Sequence, residues 1–458
     1  MLSKNQIIEL TITGITAEGN GVGRAEDGMA VFVPMTAVGD IIAAKIVKVL
    51  KNYAFGIIEE IKVPSLDRVE ADCPVFKKCG GCTFRHISYE AELKIKSGFV
   101  EDNFRRIGGF TDISFEPIKG CDETDHYRNK AQYPVGMNDS EAVCGFFSKR
   151  SHRIVPFTEC RLQPVIFSEI TDFVMDFIRS RNIPPYNEET GKGLIRHIYL
   201  RKGYHTNEIM LCLVASSKKC VQYMEELCKN TELLKRFPDI KSVVVNINGE
   251  KTNVILGNRN ITVSGTDNIT DTMCGNKISL SPLSFYQVNT AQAEILYKIA
   301  ADFADFKGDE EILDLYCGAG TIGLSMHDKV KCLTGVEVIS QAVENAKINA
   351  KANNIENADF ICGDAGMIAE TLAKEGRRPD VIIVDPPRKG CDNACLEAIR
   401  VMAPEKLIMI SCNPSTAARD CKILCTEMGM YEIKKVQGVD LFPRTGHVET
   451  VCLLSRKL

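Results

Sequence analysis

The sequence lacks a membrane-spanning run: stretches such as Met29-Ala30-Val31-Phe32-Val33 fall far short of the roughly 18 apolar residues that cross a bilayer. Its first residues also lack the apolar core of a signal peptide, so a cytoplasmic protein without a membrane partner is expected. It has no excess of one charge either. Lys and Arg number 56 against 60 Asp and Glu, a formal net charge of −4, so any nucleic-acid contact must come from local patches. Nineteen cysteines in 458 residues are too dilute for a disulfide scaffold, and a reducing compartment would keep most of them as thiols. Repeats and low-complexity tracts are absent. With 45% hydrophobic and 25% charged residues, disorder and collagen are excluded, and the length predicts two or three globular domains.

Three regions follow one another. Residues 1–60 alternate Ile8, Leu10 and Ile12 with Glu9, Thr11 and Thr13 before Gly-rich turns and further β-rich runs, the pattern of a small antiparallel barrel. Residues 61–270 read as a mixed α+β middle domain, with a cysteine cluster, an amphipathic helix near Tyr89 to Ile107 and strand-like runs such as Val243-Val244-Val245. Its helical part, about 89–118, is expected to pack on the domain that follows. Residues 271–458 alternate strands with helices, the form of a doubly wound α/β sheet.

That last region carries Leu313-Asp314-Leu315-Tyr316-Cys317-Gly318-Ala319-Gly320-Thr321-Ile322-Gly323, a strand, a tight turn and a helix start with Gly318, Gly320 and Gly323 in G-x-G-x-x-G spacing. Glu337 closes the next strand, where a carboxylate accepts ribose hydroxyls, so both NAD and S-adenosylmethionine fit at this point. Asp314 favours the latter: a carboxylate there orients a sulfonium but would repel a pyrophosphate. Asp364 follows a third strand, near an adenine edge, and Asp385-Pro386-Pro387-Arg388 ends a fourth.

The strand Lys406 to Ser411 delivers Cys412-Asn413-Pro414 into a helix. Asn413 suits an N-cap and Pro414 the first helical position, which puts the Cys412 sulfur at the positive end of a helix dipole and favours its thiolate. Such a nucleophile has a purpose if the target is a pyrimidine. C5 of uracil is unreactive until sulfur adds to C6, and after methyl transfer the C5 proton must be removed, for which Glu449 in Gly446-His447-Val448-Glu449-Thr450 is the candidate base.

Two resemblances gather these residues. Ala17 to Arg24, with Val31 to Pro34 and Val38-Gly39-Asp40, resemble a TRAM domain, an OB-like RNA-binding barrel. Ser284 to Asn289, Asp314 to Gly320, Asp385 to Arg388, Ser411 to Thr416 and Gly446 to Thr450 resemble the RNA uracil-C5 methyltransferases, which have a Rossmann-like catalytic domain. That likeness implies Gln287, Tyr316, Glu337 and Asp385 as cofactor positions for S-adenosylmethionine, Cys412 as nucleophile and Glu449 as base. DNA-type cytosine enzymes place their nucleophile in a Pro-Cys dipeptide, which this chain never contains.

Cys73, Cys79 and Cys82 give C-x₅-C-x₂-C, soft ligands suited to zinc or iron–sulfur, with Cys121, Cys144 and Cys160 available as a fourth. Radical methylthiotransferases instead use C-x₃-C-x₂-C. Similarity to the ribosomal RNA branch of the family implies Cys160 and a [4Fe–4S] cluster, and thus 5-methyluridine formation in a loop of 23S ribosomal RNA. The transfer RNA branch resembles only the catalytic part. Arg85 departs from the glutamine common in the family. Arg128, Lys130, Lys149, Arg150 and Arg153 are candidate phosphate contacts, with Phe147 beside Phe146 for stacking on an unpaired base. Arg196, His197 and Arg201 extend that set. No obligate protein partner is implied. The competing readings are transfer RNA as substrate, an amino-group RNA methyltransferase in which Cys412 is dispensable, and a non-catalytic RNA-binding protein.

Overall fold

The computed structural model describes residues 2–157 and 159–457. The N-terminal alternation becomes a six-stranded sheet in the order Ile7–Thr11, Ile41–Val49, Tyr53–Val63, Ala30–Pro34, Asn20–Arg24, Gly14–Ile15. Leu10, Ile12, Val31, Val33, Ile42 and Ile46 turn inward to form its core, as a period of two requires. The barrel is not wholly antiparallel as expected, because Ala30 to Phe32 pair in parallel with Tyr53 to Phe55.

The middle region is a seven-stranded sheet running Ile154–Pro156, Glu141–Phe147, Lys130–Asn138, Ile195–Lys202, Ile209–Ala215, Ile240–Ile247, Arg259–Gly265. One face packs on the helices Val165–Ser180 and Cys220–Asn230. The other face, through Tyr199, Met210, Cys212, Val214 and Val244, shares a core with the C-terminal domain. Burial on both faces explains why Ile209–Ala215 is continuously apolar.

The C-terminal sheet has eight strands: Ala358–Cys362, Cys332–Glu337, Glu311–Leu315, Val381–Val384, Lys406–Ser411, Glu449–Arg456, Tyr431–Val439, Phe115–Lys119. The first five are parallel, and the strand order reverses direction between Glu311–Leu315 and Val381–Val384. Ligand crevices in such sheets open at that switch point, beyond the carboxyl ends of the strands. The last strand comes from far upstream. It follows the helix Tyr89–Asn103, which runs on into a π-helical turn, Phe104–Gly108. Val100 and Phe104 are buried with Leu424, Val436 and Cys452, so residues 89–119 are built into the C-terminal domain. Among the described residues no helix is long and apolar enough to cross a membrane.

Candidate active site

The loop after Glu311–Leu315 folds through left-handed backbone at Tyr316, Gly318 and Gly320, with φ of 66°, 56° and 78°. Gly320 also abuts Phe360, which would lie 3.0 Å from an added Cβ, so glycine is required there twice over. Tyr316 tolerates a conformation that non-glycine residues rarely adopt, and its hydroxyl is hydrogen-bonded with Cys395. Glu337 closes the crevice: its Oε2 accepts from Gly318 N (3.1 Å) and its Oε1 from Ile339 N (2.8 Å). Each oxygen keeps further acceptor capacity.

Asp314, at the strand end before the loop, is fully buried. Its Oδ2 accepts from Gly323 N (3.0 Å), Oδ1 has no hydrogen-bond partner among the described residues, and burial pushes the carboxyl up to about 8. Asp364 is exposed and caps the helix Ala365–Lys374 by accepting from Met367 N (3.1 Å). Val338, Ile339 and Met367 expose apolar side chains next to Glu337 and Asp364, the chemistry an adenine face needs. Gln287 is half-buried, and its carbonyl accepts from Asn129 Nδ2 (2.8 Å).

Cys412 stands at the neighbouring strand end. Asn413 caps the helix Pro414–Lys422, its Oδ1 accepting from Ser415 N (3.2 Å), and Pro414 opens it. The thiol is nonetheless pushed above its ordinary value. Burial, then the charges of Glu449 and Asp385, push it up, against an opposing hydrogen bond from Arg388. Helix geometry alone missed these carboxylates, which arrive from other strands. Glu449, 4% exposed, is pushed up to about 8 by burial and by Asp385, and burial raises Asp385 to about 7. Cys412, Glu449, Asp385 and Arg388 therefore form one interacting group.

Cys412 opens into a cleft of about 620 Å³. Its walls include Ile15 to Glu18 from the N-terminal barrel, Asn103 at the end of helix Tyr89–Asn103, Arg106 from the π-helical turn, and Arg388 with His447. The walls from the barrel and the turn were not foreseen, because these segments reach the cleft only through tertiary folding. Arg388 Nη2 lies 3.5 Å from His447 Nε2; only its place in the Asp-Pro-Pro-Arg motif hinted at it.

Cys73, Cys79, Cys82 and Cys160 line a second cavity, of about 240 Å³, together with Arg85, Arg128 and Lys130. Cys121 and Cys144 do not line it. Burial raises Cys82 to about 12 and Cys160 to about 11, and Arg85 opposes this at Cys82 through its charge and a hydrogen bond. Arg85 is itself held by Asp72 (2.8 Å) and Asp125 (2.6 Å). Among the described residues no three His, Cys, Asp or Glu side chains converge as a single ion's ligands would.

The candidate RNA contacts divide. Lys149, Arg150 and Arg153 are exposed on the tip between Glu141–Phe147 and Ile154–Pro156, where Phe147 lies against His152 at 5.0 Å between ring centroids. Gly80 N donates to Phe147 O (3.1 Å), so this tip rests on the cysteine loop. Arg128 and Lys130 face the cysteine cavity, and burial pulls Lys130 down to about 8. Phe146 packs inward on Phe157 and Tyr133. Arg196, His197 and Arg201 must be withdrawn. All are buried; Arg196 donates to the carbonyls of Asn248, Glu250 and Thr252, and Arg201 to those of Ser281 and Ser284.

The sheet, the glycine loop and the acidic strand ends define a methyltransferase that uses S-adenosylmethionine. Residues 88–457 match the family model described as tRNA (Uracil-5-)-methyltransferase, and residues 3–58 match the TRAM domain. The chain belongs to this uracil-5-methyltransferase family and is an RNA methyltransferase. It is similar to a Clostridium tetani protein named as an uncharacterized RNA methyltransferase, with 41% identity over 99% of this chain and 97% of that one. A Halalkalibacterium halodurans protein of the same description is 42% identical over 100% and 98%. Among solved structures, the Pyrococcus abyssi tRNA (uracil-54, C5)-methyltransferase in complex with S-adenosyl-L-homocysteine superposes with a TM-score of 0.76 at 25% identity, over 98% of this chain and 100% of that one. A transfer RNA enzyme thus matches beyond the catalytic part, contrary to the expectation from sequence.

Proposed function

We propose that this enzyme methylates C5 of uracil in 23S ribosomal RNA through a covalent adduct on Cys412. The observation that carries the reading is the interaction of Cys412 with Glu449, Asp385 and Arg388 at adjoining strand ends, with Cys412 and Arg388 lining a cleft wide enough for an extruded base. The sulfur adds to C6, giving an enolate that takes the methyl group from the sulfonium at C5. Glu449 then removes the C5 proton, and elimination restores Cys412 and leaves 5-methyluridine. Asp385 and Glu337 bound the cofactor crevice, with Glu337 as acceptor for the ribose hydroxyls and Gln287 and Tyr316 beside it.

Cys73, Cys79, Cys82 and Cys160 are the residues that would hold a [4Fe–4S] cluster, and the donor set fits. Each thiolate of a polynuclear cluster binds its own iron, so a ring of sulfurs around a cavity suits it, and Arg85, Arg128 and Lys130 offset its negative charge. When bound, the group would brace the loop under the basic tip at Lys149 to Arg153; no step of methyl transfer needs an electron. Anaerobically purified protein should be brown, with broad absorption near ~400 nm from thiolate-to-iron charge transfer. Colourless protein with stoichiometric zinc would overturn the assignment.

The barrel joined to the four cysteines supports ribosomal RNA. Transfer RNA is the second reading, favoured by the full-length likeness to the Pyrococcus abyssi enzyme. Mapping 5-methyluridine in ribosomal and transfer RNA from cells with and without the gene decides between them. For the mechanism, RNA carrying 5-fluorouracil at the target should form a band stable on a denaturing gel only when S-adenosylmethionine is present, since C5 of the methylated adduct then carries fluorine in place of the proton the base must remove. Normal 5-methyluridine formation by Cys412→Ala protein would reject the covalent route in favour of an amino-type methyltransferase.

A further inference from the structure

The loop between Tyr431–Val439 and Glu449–Arg456 lines the cleft with Gly446, His447 and Val448 and leads into Glu449, and it is gripped from behind. Lys96, with no exposed surface, donates to Asp440 Oδ1 (2.7 Å), Phe442 O (3.1 Å) and Glu92 Oε1 (2.7 Å). That same Glu92 oxygen accepts from Arg444 N (2.7 Å), so a single ammonium organises three points of the loop. Tyr89 donates its hydroxyl to Asp440 Oδ2 (2.9 Å) and Tyr127 to Pro443 O (3.0 Å). The amides of Thr83 and Phe84, directly after Cys82, both donate to Arg444 O (2.7 and 3.1 Å). On the far side Gly446 is pressed to Ala17, whose carbonyl oxygen would lie 1.8 Å from an added Cβ. Barrel, cysteine loop and helix Tyr89–Asn103 therefore converge on nine residues that lead into Glu449.

A lysine buried between two carboxylates is a poor source of stability, because desolvating the charges offsets their attraction; what it provides is one defined geometry. We propose that Lys96 is a positioning residue for proton removal, and that with the Thr83 and Phe84 amides it holds the Asp440–Val448 loop so that Glu449 meets C5 of the methylated adduct. The inference rests on the reading of Glu449 as base. It gives the cysteine loop a part in catalysis without electron transfer: its order is transmitted through the Arg444 carbonyl.

The test separates the two halves of the reaction. With 5-fluorouracil RNA, adduct formation reports addition and methyl transfer alone; with ordinary uracil, turnover also needs proton removal. Lys96→Met should leave the rate of fluorouracil adduct formation within about 2-fold of wild type, since neither step uses Glu449. Turnover on uracil should fall about 10- to 100-fold, the effect of misplacing a reacting group by up to about 1 Å, and methylated adduct should accumulate on ordinary uracil. Tyr127→Phe, which removes one hydrogen bond and is a milder change, should show the same partition with about a 5-fold loss. Equal losses in both assays, or no loss in either variant, would overturn the proposal. Wild-type protein that methylates uracil yet forms no fluorouracil adduct would overturn the covalent reading beneath it.

Discussion

Burial pushes up Cys412 and, in the four-cysteine cavity, Cys79, Cys82 and Cys160, but their surroundings carry opposite charge. Around Cys412 stand Glu449 and Asp385, countered by Arg388; around the cavity stand Arg85, Arg128 and Lys130. The second arrangement suits sulfurs that carry negative charge permanently as ligands. The first places carboxylates beside the sulfur, where they would attract the cationic sulfonium of S-adenosylmethionine. The difference lies in the charges that face each sulfur, not in its depth.

The largest effect that sharpens this contrast is at the nucleophile. Cys412→Ala should reduce methyl transfer to background while S-adenosylmethionine affinity, followed by calorimetry, stays unchanged. Cys79→Ala should instead remove visible absorption and iron while the covalent adduct with fluorouracil RNA still forms at Cys412. Next comes the base. Glu449→Gln should lose about 10²- to 10⁴-fold in turnover and trap covalent adduct on ordinary uracil, because addition precedes proton loss.

The raised carboxyl of Glu449 gives that prediction a pH dependence. A base held at about 8 is increasingly protonated below that pH, so single-turnover elimination should slow about tenfold per pH unit from 7 to 6. Stability runs the opposite way. Between its ordinary value of 4.5 and about 8 the folded protein retains a proton that the unfolded chain has lost, so folding weakens as pH rises through this window. Glu449→Gln removes that term. Its melting temperature should fall less than that of wild type between pH 5 and 8, measured by calorimetry. Equal slopes would mean that Glu449 is not held protonated.

Much of this site was legible locally. Val381–Val384 and Lys406–Ser411 are short apolar runs bounded by polar turns, and Asn413 with Pro414 announces a helix start by rules that act within four residues. The glycine loop is equally local, because left-handed backbone demands glycine at Gly318 and Gly320. What escaped was set by distant chain. Arg196 and Arg201 look like surface charges until the loops at 248–252 and 281–284 supply carbonyls to bury them. The barrel segment Ile15 to Glu18 has no cleft signal of its own, and the raised thiol of Cys412 depends on carboxylates from two other strands.

A moderate effect is expected in the crevice. Glu337→Ala removes an acceptor fixed by Gly318 and Ile339, and loss of a charged hydrogen bond of about 1.5–3 kcal/mol should weaken cofactor binding about 10- to 150-fold. Unchanged affinity in calorimetry would take Glu337 out of the site.

The smallest effect belongs to the basic tip. Arg150 is exposed and sits at a φ of 55°, with Lys149 and Arg153 nearby, above a loop tied to the cysteine cavity through Gly80 and Phe147. If it neutralises one phosphate, Arg150→Ala should lower the slope of log affinity against log salt by about 1 and weaken binding to every RNA sequence alike. Cofactor affinity and adduct formation at saturating RNA should not change, because the tip lies outside the cleft around Cys412. Lys130→Ala offers the contrast. That side chain faces the cysteine cavity, so it should leave the salt slope intact and alter the visible spectrum instead. An unaltered slope in Arg150→Ala would return the tip to ordinary solvated charge and move the RNA path toward Arg106 and the π-helical turn.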